Sequence, residues 1–174
     1  MDLLVVLLIF AAVLIGLFLV VRHLFRALRA SAGRIKDAGA EMYASGTRMS
    51  VLIQPHDDPV EAVIDPRMAT VGLAAVVLSR NADLSKPEWL SLRQVVEAHY
   101  RTGEAQAGDL VILSQWLAQK LTDEGDIPRL ARRAEILGGP QVADDLQALV
   151  SRFGDATGRS AEPALSEALS ALSR

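Results

Sequence analysis

The longest uninterrupted apolar run, LLVVLLIFAAVLIGLFLVV at positions 3–21, holds 19 residues and no charge. In a helix rising about 1.5 Å per residue it nearly crosses a hydrocarbon layer of about 30 Å. Residues 1–24 are accordingly predicted to form a single transmembrane anchor. Gly16 is compatible with such a helix, which still satisfies its own backbone hydrogen bonds. The reading as a buried core helix fails on the length of the run together with the absence of any polar face. A cleaved signal peptide is the stronger rival, because Ala30-Ser31-Ala32 resembles a cleavage site. Against processing, no basic residue precedes the run, whereas Arg22, Arg26 and Arg29 follow it.

Beyond the anchor the pattern loosens. Ile35, Met42 and Met49 are too widely spaced for a core face, and Gly33, Gly39 and Gly46 interrupt any long helix. Residues 25–55 therefore read as a basic juxtamembrane segment and linker. Within it, Val51-Leu52-Ile53 is either a segment docked on the following body or a last helical turn.

From residue 56 to 174 the apolar positions recur at helical spacing. Asp58-Pro59 and Asp65-Pro66 each place a capping acid before a proline at the first helical position, which describes one interrupted helix or a short helix followed by a longer one. The second start leads into Met68, Val71, Gly72, Ala75, Val76 and Leu78. Trp89, Leu92, Val95, Val96 and Tyr100 mark the next helix, and Asp109 is expected to cap one carrying Leu110, Leu113, Trp116, Leu117 and Leu121. Further helices are predicted around 128–137, along Val142, Leu146, Leu149, Val150 and Phe153, and along Leu165, Leu169 and Leu172 after Ser160 as N-cap. Gly138-Gly139-Pro140 separates the first two of these. The predicted fold class is all-α: a transmembrane helix followed by a compact bundle of six or seven short helices over residues 56–174.

Composition agrees with helices. Hydrophobic residues reach 51% while aromatics are only 5%, so alanine and leucine supply much of the apolar content. The absence of cysteine excludes disulfides, thiol nucleophiles and cysteine-containing metal sites. Charge is unevenly distributed. Five of the 18 basic residues and one of the 21 acids fall within 2–36, leaving residues 37–174 at −7 against −3 for the chain. An acidic body repels phosphates, so no nucleic-acid partner is expected. Lysine and arginine beside a span stay on the cytoplasmic side. The predicted topology is thus a short N-terminus outside and the helical domain in the cytoplasm, with membrane lipid contacted by residues 3–21 and by the following basic residues.

The segment Arg80-Asn81-Ala82-Asp83-Leu84-Ser85-Lys86-Pro87-Glu88 is the first candidate for chemistry. Oxygens at Asn81, Asp83 and Ser85 are spaced as at the start of a calcium loop. An EF-hand counted from Asn81 needs glycine where Lys86 stands and an acid where Leu92 stands, which excludes that motif. Ser85 and Glu88 instead fit a capping box, in which the serine covers first-turn donors and the glutamate reaches back to the N-cap N–H.

No catalytic set is expected. His56 beside Asp57 and Asp58 reads as turn chemistry, and His99 near Glu97, Tyr100 and Glu104 as a packed helix-end residue. Neither a nucleophile elbow nor a His-Glu-x-x-His sequence occurs. Trp89 and Trp116 are expected in the core. The acidic turn Asp123, Glu124 and Asp126 is the predicted partner-binding surface.

Residues 81–88 and the later stretch GDATGRSAEPALSEAL at 154–169 give the chain a resemblance to the TerB-like helical family, the domain named for tellurite resistance. That family carries an Asp-Gly-x-(Leu/Ile)-(Ser/Thr)-x-x-Glu turn between helices, with a looser second occurrence. Leu84, Ser85 and Glu88 match it, while Asn81 and Ala82 stand where Asp and Gly are usual. The resemblance spans about residues 56–174 and implies envelope-stress complexes, cation binding and protein–protein contacts, with Asn81 and Ala82 departing from the family pattern; the expected location is a bacterial inner membrane.

Taken together, the expected role is a membrane-anchored, non-enzymatic adaptor that docks an unknown protein partner or a second copy of itself, with no cofactor and no metal. Two alternatives remain: a regulator of a separate chaperone system, and an enzyme or metal-dependent catalyst using a histidine–carboxylate pocket.

Overall fold

The computed structural model describes residues 52–54 and 56–173. The predicted anchor at 3–21 and the basic residues after it lie outside the described residues. Among the described residues no helix is long and apolar enough to cross a membrane.

Among the described residues seven helices follow one another: α1 Pro59–Ala62, α2 Pro66–Ser79, α3 Lys86–Tyr100, α4 Glu104–Lys120, α5 Asp126–Gly138, α6 Gln141–Thr157 and α7 Glu162–Leu172. The two Asp-Pro starts produce two helices rather than one interrupted helix. Asp58 Oδ1 accepts the Val60 N–H at 2.9 Å, and Asp65 Oδ1 accepts those of Arg67 and Met68 at 2.8 and 3.1 Å. Each carboxylate meets amides that have no partner inside their own helix.

Helix α2 is the axis of the bundle. Every residue from Met68 to Leu78 is buried, the signature of a helix surrounded by others. It packs against α4, α5, α6 and α7, while α3 packs on α4 and α6, and α7 on α5 and α6. Gly72 permits a close approach to α4: a Cβ there would lie 2.6 Å from Leu117 Cδ1. Phe153, Met68, Leu73, Leu110, Leu130 and Leu146 are among the fully buried side chains, each contributing about 1.5–3 kcal/mol on removal from water.

Leu52 and Ile53 are a docked segment. Leu52 is buried, its carbonyl accepts the Ile64 and Asp65 N–H groups, and Ile53 forms an isolated antiparallel bridge with Val63. The helical body thus reaches a few residues before the predicted boundary at 56.

Several expectations are corrected. Asp109 does not cap a helix; it lies inside α4 and is buried, because that helix already starts at Glu104 after Gly103. Glu104 suits a first turn, where a carboxylate opposes the helix dipole, and it also pairs with Arg93. Ser160 is not an N-cap, since Ala161 occupies that position before α7. On α7 the fully packed positions include Ala164, Ala168 and Ala171, whereas Leu165 and Leu169 are only partly buried. Trp89 and Trp116 likewise pack against the core while remaining partly exposed.

Candidate partner-binding surface

Two connections meet at one end of α2: the α2–α3 loop around residues 80–85 and the α4–α5 turn around 121–125. Arg80 joins them. Its Nη1 donates to the carbonyls of Thr122 and Asp123 at 3.0 and 3.1 Å, which holds the acidic turn against the loop motif.

The motif itself is fixed locally and from a distance. A capping box begins α3, with Glu88 Oε2 accepting from the Ser85 N–H at 2.8 Å and from the Ser85 hydroxyl at 2.6 Å. The other oxygen, Oε1, accepts from Arg159 Nε at 2.7 Å. Arg159 Nη1 donates to the carbonyls of Leu78 and Ala82 at 3.0 and 2.7 Å, and Nη2 to that of Asp83 at 3.2 Å. One guanidinium therefore satisfies the carbonyls at the end of α2 and along the loop. The Ser85 hydroxyl, the Ser85 N–H and Arg159 together hold the Glu88 carboxyl down to about 2.

Arg159 belongs to the 154–169 stretch, so the structure brings the two motif-like segments into direct contact. Leu84 between them is buried, whereas Asn81 and Asp83 are exposed. No three His, Asp or Glu side chains converge on a metal-sized site among the described residues.

The acidic turn divides into two parts. Asp123 and Glu124 are exposed. Asp126 is buried at 6% exposure, its Oδ2 accepting the Asp123 N–H at 2.9 Å and its Oδ1 bonding Arg129 at 3.3 Å. It shapes the turn instead of facing solvent with its neighbours. The exposed carboxylates on this surface are those of Asp83, Asp123 and Glu124, and none makes a hydrogen bond or ion pair among the described residues.

The histidines lie elsewhere. His56 is exposed and its Nδ1 accepts the Asp58 N–H at 3.0 Å. His99 Nε2 pairs with Asp145 Oδ1 at 2.9 Å, and Arg152 Nη1 lies 3.4 Å from its Nδ1. Both ring nitrogens of His99 thus have protein partners. The Tyr100 ring stands edge-on to the imidazole with centroids 4.7 Å apart. Burial, with the Asp145 charge adding to it, pushes the Tyr100 phenol up.

Sequence reasoning missed Arg80, Arg159 and Asp145. Arg80 adjoins the loop motif and Arg159 sits within its second occurrence, so both were in marked segments. Apart from the Glu88 carboxylate that Arg159 also meets, their partners are backbone carbonyls 42 to 81 positions away in the chain, and carbonyl acceptors leave no trace in residue identity. No family model, curated protein or solved structure matches this chain.

Proposed function

We propose that the protein is a membrane-anchored, non-enzymatic adaptor whose helical body docks a protein partner at the cytoplasmic membrane face. The observation that carries this reading is the clustering of the free carboxylates of Asp83, Asp123 and Glu124 on two connections joined by Arg80. Such a cluster favours a basic partner surface and speeds its association. The uncharged run at 3–21 and the basic residues after it support the anchor. The turn motif at 81–88, closed by Arg159 from its second occurrence, supports assignment to the TerB-like family and with it a place in an envelope-stress assembly.

The test is in-membrane cross-linking of full-length protein, wild type against D123K/E124K, with the adducts resolved by mass. The charge reversal is expected to abolish the principal hetero- or homo-adduct. Equal adduct yields would overturn the acidic surface as the docking site. Protease added outside intact cells is expected to leave the C-terminal domain uncut, and its digestion there would overturn the topology.

A further inference from the structure

Helices α5 and α7 leave open a second face, which the acidic connections do not line. A groove of about 560 Å³ lies between the two helices. Pro128 and Arg132 form its α5 wall, and Glu167, Ser170 and Ala171 stand on the α7 wall. Along α5, Ile136 continues the row of Pro128 and Arg132 at four-residue spacing, so the three share one side of the helix. Ile136 is 75% exposed, against 48% for Leu90 and 55% for Ile112.

The charges on this face are arranged differently from those on the rest of α5. Of the three arginines on that helix, Arg129 pairs with Asp58 and Asp126, and Arg133 holds Glu61 and the Val63 carbonyl. Both therefore serve the fold. Arg132 is exposed in the groove and makes no hydrogen bond or ion pair among the described residues, and neither does the exposed Glu167 of the facing wall. A cation and an anion left unspent on opposite walls make a surface complementary to its own two-fold copy. Turning one copy over brings each Arg132 to the Glu167 of the other, so the same pair forms twice. A basic partner drawn to Asp83, Asp123 and Glu124 would instead meet Arg132 here as a like charge. Ile136 and Ala171 supply apolar contact, and the small Ser170 side chain lets a second helix come close.

We propose that the α5–α7 face is a two-fold contact between two copies of this chain, with Arg132 of each copy paired to Glu167 of the other and Ile136 packed beside the pair. The contact is separate from the acidic docking surface and does not depend on it. A dimer built this way leaves Asp83, Asp123 and Glu124 of both copies outside the contact.

The experiment co-expresses two differently tagged full-length copies, solubilises them in nonionic detergent at low salt, and measures how much of one is captured through the tag of the other. Wild-type copies are expected to co-capture; their failure to do so overturns the proposal. Arg132→Glu in both copies places like charges at each pair, as does Glu167→Arg in both copies, and each is expected to lower capture at least fivefold. An Arg132→Glu copy expressed with a Glu167→Arg copy restores opposite charges at both pairs and is expected to recover capture to within twofold of wild type. A fold weakened by either substitution could not give that recovery, and its absence overturns the pairing. Ile136→Asp is expected to lower capture at least fivefold with the melting temperature unchanged, since the side chain is mostly exposed in the single copy. Capture that persists in every variant assigns self-association to residues outside this face and overturns it. D123K/E124K is expected to leave capture between copies as in wild type; a loss there assigns the contact to the acidic turn and overturns the α5–α7 face.

Discussion

Arg159 Nε lies 2.7 Å from Glu88 Oε1, and this pair closes the distance between the last helical hairpin and the turn that follows the central helix. The same guanidinium holds the carbonyls of Leu78, Ala82 and Asp83. The loop that shapes the candidate docking surface is therefore held by a residue more than 70 positions further along the chain.

Replacing Arg159 should loosen that loop before it affects the rest of the bundle. Arg159→Ala removes charge-assisted bonds to several acceptors and is expected to cost about 2 kcal/mol, the usual scale for hydrogen bonds to a charged group. Arg159→Lys should recover only part of this, because an ammonium cannot fork across the same acceptors. Urea unfolding measures the loss, and amide exchange at residues 82–85 should quicken more than exchange within α2.

Glu88 gives the fold an acid-sensitive contact of defined sign. Its carboxyl is held down from the ordinary 4.5 to about 2, first by the Ser85 hydroxyl, then by the Ser85 N–H and by Arg159. Between those values the unfolded chain takes up the proton more readily than the folded one. Stability from this group is therefore full above about 4.5 and is lost as the pH falls through about 2. Glu88→Gln should show a shallower fall of melting temperature across that window. It should retain some fall, since the Val60 N–H and Arg129 also hold the Asp58 carboxyl down. Thermal unfolding by circular dichroism at stepped acid pH is the measurement.

The helical bundle was legible because its starts and its apolar spacing are local signals. Asp58-Pro59, Asp65-Pro66 and the Ser85–Glu88 box act within one turn of their own helices, so residue identity and spacing suffice to read them. Asp109 misled for the same reason. An acid after glycine resembles a start signal, yet its burial within α4 is decided by neighbouring helices. The candidate surface was half legible. Asp83, Asp123 and Glu124 were marked by composition, but their adjacency depends on Arg80 reaching two distant carbonyls. The inward turn of Asp126 likewise depends on geometry that no spacing rule supplies.

Gly72 should tolerate a side chain poorly. A Cβ there already falls 2.6 Å from Leu117 Cδ1, and Leu117 is fully buried. Alanine gains helix propensity of about 1 kcal/mol over glycine, which offsets a small shift of the Leu117 methyl. Gly72→Leu adds more volume than that shift can absorb and is expected to cost about 1–3 kcal/mol. Combining it with Leu117→Ala should recover part of the loss, so the double variant is less destabilised than the two single costs added together. Chemical denaturation of the four proteins in this cycle decides the matter.

Within the acidic turn, stability and binding should separate by residue. Asp126 is buried and bonds both the Asp123 N–H and Arg129, whereas the carboxylates of Asp123 and Glu124 make no hydrogen bond or ion pair among the described residues. Asp126→Ala removes the carboxylate that accepts the part-buried Asp123 N–H and bonds Arg129, and is expected to cost about 1–3 kcal/mol, the usual scale for hydrogen bonds to a charged group. Asp123→Ala and Glu124→Ala should stay within about 0.5 kcal/mol of wild type, as surface changes usually do. Under the adaptor reading the ranking reverses for partner capture: the two exposed acids weaken it at unchanged stability. Asp126→Ala weakens it only under conditions where the turn has already loosened. Denaturant midpoints and cross-linking yields measured on the same three variants tell these apart, because a turn serving the fold alone would move the midpoints and leave the yields of the two exposed variants untouched.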